Sequence, residues 1–238
     1  MLDGAAVDSG GTLADVGAGT GLLTLGAVER VGPDGDVVAI DISVDVLEEL
    51  RSQTTAPNIS YLLGSADVLP LPDASVDAVV TRSVLIYVDD KAEAAREFAR
   101  VLHRGGRASL FEPINSRNLK LTDALDVAAL GELGERLRAW NDELCGNPDD
   151  PMLNFDESDL ERFFMAAGFD VALELEMDEY DLPADRYLNQ VGAPGRPTVL
   201  ERWQAAFAPA DVERLVDFLA DRTVPRRVPC ALLIGVKR

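Results

Sequence analysis

Cysteine, histidine and lysine are all scarce in this 238-residue chain. Two cysteines, Cys145 and Cys230, cannot build a disulfide scaffold, and they lie too far apart in sequence to pair on a metal by spacing. With His103 the only histidine, there is no His/Cys cluster to hold zinc, and no metal site is expected. Long apolar runs are missing too. SVLIYV at 83–88 and CALLIGV at 230–236 fall far short of the ~20 residues that cross a bilayer. The opening MLDGAAVDSGG has no basic, apolar, small-residue progression. Neither a membrane span nor export is expected, and a reducing cytoplasm is the natural compartment.

Positive charge is the remaining shortage. Forty-two acids face 22 bases, for a formal charge of −20, and only Lys91, Lys120 and Lys237 are lysines. A chain-wide basic footprint for phosphate backbones is absent, so nucleic acid is a poor partner. The acidic excess suits either a saline cytosol, where it keeps the surface solvated, or a GC-rich genome. Oligomeric state is not legible.

What the sequence does contain is enough apolar residue, 47%, for one sizeable core. Short Val-, Ile- and Leu-rich stretches at 12–16, 36–40, 59–63, 76–81 and 107–111 read as strands. Their near-continuous hydrophobicity implies that both faces are covered, as in a parallel sheet between helical layers. Helices are expected between them at 22–31, 44–52 and 91–102, the first stopped by Gly32-Pro33 and the last by Gly105-Gly106. This is the cadence of a doubly wound α/β domain.

Beyond Pro113 the texture changes. Leu130, Leu133, Leu137, Trp140 and Leu144 step by three and four, so 118–144 reads as a long amphipathic helix, or two. Asp156 can cap a helix ending at Gly168, followed by a strand at 169–177. Pro209 opens another helix before a last strand at 228–236. The expectation is a single domain over residues 1–238, with helical cap insertions at about 114–154 and 182–227 that form the acceptor pocket and much of the lid.

The chemistry concentrates in LADVGAGTG, residues 13–21. A strand ends on Asp15 and runs into Gly17, Gly19 and Gly21, a turn that lets the backbone approach a ligand while the next helix aims its amides at it. The spacing matches neither the dinucleotide fingerprint GxGxxG nor a P-loop. Asp41, ending VVAID, is placed to accept hydrogen bonds from both hydroxyls of a ribose. Asp67, in LLGSADVLPLPDASVDAVV, can accept from an exocyclic amine, which favours adenine, although a loop-capping aspartate would occupy the same place.

Those motifs in order, DVGAGTG, AIDIS and GSADVLPLPDASVDAVV, followed by RVLHRGGRASLFEP, closely resemble the class I S-adenosylmethionine-dependent methyltransferases. The similarity is to the small-molecule branch that includes ubiquinone and menaquinone methyltransferase-like proteins. It covers residues 13–112 strongly and the later helix-strand unit and final strand more loosely. The resemblance implies a Rossmann-like seven-stranded sheet with its last strand antiparallel, S-adenosylmethionine as cofactor, and methyl transfer by in-line displacement to a small-molecule acceptor. It also implies that Asp15 and the Gly17, Ala18, Gly19 backbone face the methionine part. Asp41 would then hold the ribose, Ile42 one adenine face, and Ala66, Asp67 and Val68 the adenine edge. Thr81, Arg82 and Ser83 would lie near the sulfonium and its carboxylate.

Two departures mark this chain. Only about a dozen residues precede the first strand, so the expectation is that the later insertions or a partner form the lid, or that the chain is truncated at its N-terminus. Ile86, in LIYVDD, stands where some relatives carry histidine. Among other groups that could act, Tyr87 and Glu112 near strand ends, and Trp140, Tyr187 and Trp203 in the insertions, are candidates to meet the acceptor. His103 is expected to serve a helix C-terminus, and Asp90 with Glu93 a capping box rather than acid-base work. The rival readings are a non-catalytic S-adenosylmethionine-binding protein on the same scaffold and an NAD(P)-dependent oxidoreductase. The second is disfavoured by the glycine spacing and by the lack of a Tyr-x-x-x-Lys pair.

Overall fold

The computed structural model describes residues 1–192 and 195–238. The chain divides into two compact units: residues 1–115, 148–176 and 230–238 form the first, and residues 116–147 and 177–229 the second. The second unit is therefore built from the two segments read as insertions, the first trimmed at both ends and the second extended at both.

In the first unit, a short helix α1 (Leu2–Ala5) precedes β1 (Thr12–Val16), α2 (Leu22–Val31), β2 (Asp36–Asp41), α3 (Val44–Ser52), β3 (Ile59–Leu63), β4 (Val76–Arg82), α4 (Lys91–Val101) and β5 (Leu102–Pro113). The sheet order is β3-β2-β1-β4-β5-β7-β6, with β1 to β5 parallel and β7 (Thr223–Lys237) antiparallel to β5. Leu13 pairs with Val37 on one side and Ala78 on the other, and all three lose essentially all exposure. They join Ala27 and Val31 of α2 in one apolar cluster, and Leu47 and Leu50 of α3 pack with Ala39 in the next. The crossover from β4 to β5 runs the other way along the sheet, so right-handedness puts α4 on the opposite face. There Phe98 meets Phe164 of α7 (Glu157–Ala166) edge to face at 6.0 Å.

α7 starts where Asp156 closes a capping box with Asp159, and it leads into β6 (Phe169–Pro183). β6 and β7 both exceed the sequence reading because the second half of β6 and the first half of β7 belong to the second unit, where hydrophobic alternation is weak. That unit adds α5 (Leu121–Ala124), α6 (Glu132–Cys145), α8 (Ala184–Leu188), α9 (Val199–Ala206) and α10 (Pro209–Leu219). The helix expected over 118–144 is broken. Asp126 caps a 3-10 turn at Val127–Leu130, and Gly131, at φ 62°, restarts the chain as α6. The leucine stripe survives the break, because Leu133 and Leu137 still reach a core that also holds Tyr187, Trp203, Val212, Leu215 and Leu219. Among the described residues no helix is long and apolar enough to cross a membrane.

Candidate active site

The carboxyl ends of β1 to β4 carry the groups that the sequence singles out. After β1 the backbone amides of Gly17 and Ala18 both donate to the Ile40 carbonyl, at 2.8 and 2.9 Å, which folds the turn onto the tip of β2. Gly17 is enforced by space: at φ 70°, an added Cβ would stand 2.2 Å from a methyl of Val84. Gly19 differs. A Cβ there would meet nothing within 4 Å, so its positive φ of 53° leaves an open ledge of bare backbone.

Asp41 locks that ledge. Its Oδ2 accepts from the Gly19 amide and its Oδ1 from the Ser43 amide, both at 3.0 Å. Ser43 in turn caps α3 through Val46. Each carboxylate oxygen retains a second acceptor position, so Asp41 can hold the turn and two ribose hydroxyls together. Apolar side chains are exposed at this end of the sheet: Ile42, next to Asp41, is 75% exposed, Leu63 on β3 pairs with Asp41, and Val68 in the loop after β3 is 71% exposed. Such side chains, standing in water, offer apolar surface to a ligand ring. Ala66 is buried beneath, and Asp67 is oriented by a hydrogen bond from Ser65.

Asp15 is placed differently from the expectation that it faces the ligand. It is 1% exposed, and its Oδ2 accepts from Thr24 Oγ1 at 2.6 Å. The carboxylate is drawn under the turn onto the first turns of α2, where burial pushes its pKa up to about 6 against the opposing Thr24 bond. Thr24 gave no signal in sequence beyond a hydroxyl on an apolar helix face.

The exit from β4 is organised by a residue expected to meet the acceptor. Glu112 is wholly buried, and it accepts from the Val84 amide at 2.9 Å and the Ile86 amide at 3.4 Å. Its carboxylate therefore points into the loop backbone, because β5 pairs with β4 in the register Arg82 with Phe111 and sets Glu112 beneath Ser83 to Ile86. Burial raises its pKa to about 7 despite those amides. Ser83 is held at φ 56°, Tyr87 is exposed, and Arg82 lays its guanidinium 5.4 Å from the centre of the Phe111 ring. Thr81 Oγ1 is buried with no hydrogen-bond partner among the described residues.

Lys91, which the sequence did not mark, is 4% exposed and ties α4 to residues 151–154. Its Nζ donates to the Val88 and Pro151 carbonyls at 2.9 Å and to Asn154 Oδ1 at 3.0 Å. Asp90 caps α4 through the Glu93 amide, as the capping reading has it, and His103 is exposed two residues past that helix. The three residues expected to line an acceptor pocket from the insertions sit elsewhere. Trp203 and Tyr187 are core residues of the second unit, and Trp140 packs edge to face on Phe207 at 5.8 Å. Aromatic area is better buried there than exposed, so these side chains report first on stability.

A glycine turn, an acid at the tip of β2, apolar rims, and a seventh strand running antiparallel define a nucleoside-cofactor protein of the Rossmann-like methyltransferase type. A methyltransferase-domain family matches residues 14–110. The ubiquinone/menaquinone biosynthesis C-methyltransferase UbiE of Yersinia enterocolitica is 31% identical over 176 residues, covering 71% of this chain and 70% of that protein. Its counterpart in Hahella chejuensis is 36% identical over 136 residues, covering 56% of this chain and 55% of that protein, so the chain spans about half of that relative's length. The YcgJ protein of Bacillus subtilis shares the fold at a TM-score of 0.64 and 20% identity, covering 100% of this chain and 96% of its own. The chain belongs to the class I S-adenosylmethionine-dependent methyltransferases, with S-adenosylmethionine as cofactor and a small molecule as methyl acceptor.

Proposed function

We propose that the first unit binds S-adenosylmethionine across the ends of β1 to β4 and presents it to an acceptor that brings its own nucleophile. Asp41 carries this assignment, because one carboxylate both fixes the Gly19 ledge and keeps free acceptor positions beside the exposed Ile42. In this arrangement Asp41 accepts from the ribose hydroxyls, and Ile42 and Val68 flank the adenine. Ala66 and Asp67 meet its edge, while the Gly17 to Gly19 backbone and Arg82 face the amino acid part. Asp15 and Glu112 act as positioning residues, the first through Thr24 and the second through the amides of Val84 and Ile86.

The bound cofactor supplies a methyl group already activated by its sulfonium. What the chain must add is alignment and exclusion of water. The relatives are named for carbon methylation, and that chemistry accords with a site whose buried Glu112 is committed to backbone amides. We place the protein in a reducing cytosol, in keeping with the free thiols of Cys145 and Cys230.

Titration calorimetry with S-adenosylhomocysteine tests the assignment. Charge-assisted hydrogen bonds are worth about 1.5–3 kcal/mol, so Asp41→Ala should weaken affinity about ten- to a hundredfold while circular dichroism stays native. Unchanged affinity in a folded variant removes Asp41 from the site.

A further inference from the structure

The second unit holds buried hydrogen-bond donors that meet no acceptor among the described residues. Arg202 on α9 and Arg226 on β7 each have an Nε sealed from solvent without a hydrogen-bond partner among the described residues, and Asn141 Nδ2 on α6 is in the same condition. Neither guanidinium pairs with an acid among the described residues. Other partly buried arginines do find carboxylates, as Arg100 does with Glu97 and Asp73.

These groups share one neighbourhood. Both guanidinium charges act on the Tyr187 hydroxyl and on the Cys145 thiol, and Asn141 stands one turn before Cys145 on the same face of α6. The acid close to Cys145, Asp142, is already bound to Lys120 at 2.6 Å. Tyr187 is almost fully buried, and burial keeps its hydroxyl protonated and able to donate. Two like charges brought together with a neutral donor and a phenol, all short of acceptors, form a site complementary to an acceptor-only group.

We propose that the second unit carries an anion-binding site in which Arg202, Arg226, Tyr187 and Asn141 take the carboxylate or phosphate group of a small molecule. Recognition comes from the two arginine forks, and the Tyr187 hydroxyl and Asn141 amide set orientation.

The full chain is titrated with benzoate, with inorganic phosphate and with neutral benzamide. Binding is followed by the fluorescence of Trp140 and Trp203, both in this unit, and by thermal melting. Saturable binding of benzoate or phosphate, without a response to benzamide, is the expected result, and its split between the two anions identifies the group preferred. Arg226→Gln should weaken it about tenfold or more. Arg226→Lys, which keeps the charge but loses the fork, should weaken benzoate more than phosphate. Tyr187→Phe, which keeps the ring in the core, should lower affinity by a smaller factor. S-adenosylhomocysteine affinity should be unchanged in all three, which separates this site from the one in the first unit. The proposal fails if neither anion saturates the native protein, or if folded Arg202→Gln and Arg226→Lys variants bind as the native chain does.

Discussion

In the first unit the buried charged groups are closed by the chain itself: Asp15 by Thr24, Glu112 by two loop amides, and Lys91 by two carbonyls and Asn154. In the second, Arg202, Arg226, Asn141 and Thr122 all keep a buried polar atom without a partner among the described residues, beside an extended apolar core. Thr81, at the end of β4, is an exception in the first unit, and it lies where the cofactor is expected. The difference teaches where each unit draws its order. A satisfied polar network fixes the first unit's loops before any ligand arrives, whereas the second rests on hydrophobic packing and leaves its polar groups for something else to complete.

The largest test of that contrast is Trp203→Ala. Removing a fully buried indole should cost about 3–5 kcal/mol by chemical denaturation. A cost below about 1 kcal/mol would mean that packing does not hold the second unit. Next comes Lys91→Met, which keeps the side-chain length but strips the donors from Val88, Pro151 and Asn154. Leaving those acceptors unmet should cost about 1–3 kcal/mol. A neutral result would show that the first unit's polar closures are dispensable.

The smallest effect is a change of slope. Burial raises the folded Glu112 carboxyl from 4.5 to about 7, so between those values the native state keeps a proton that the unfolded chain has released. Its contribution to stability therefore falls as pH rises through that window and levels off above it. Glu112→Gln should flatten the decline relative to the native chain when denaturation midpoints are compared at pH 5, 6 and 8. Parallel curves would mean that the carboxylate is not insulated as the structure has it.

The parallel half of the sheet was legible because each strand is short, apolar throughout and bounded by turn residues, so β1, β3, α2 and α3 carry the limits expected from sequence. Legibility ended where order is decided by partners distant along the chain. Asp126 and Gly131 carried the local signals that break 118–144, but the regular leucine spacing outweighed them. Thr198 with Glu201 formed a readable capping box that starts α9, yet no apolar stripe drew attention to it. At the site, Asp41 was visible as an acid at a strand end, while its bond to the Gly19 amide was not. Glu112 presents the same limit more sharply. Whether a carboxylate at the end of β5 faces a ligand or the preceding loop depends on the register between β4 and β5, which no local pattern encodes.

Val84 carries one more consequence. Its amide is pinned by Glu112, and its methyl group fills the place a side chain at residue 17 would need. The rim after β4 and the bed after β1 thus behave as one machined part with Val84 as the shim. Recutting the rim to admit a bulkier acceptor would tilt the bed with it, so the two edges of this site have to be redesigned, or to evolve, as a pair.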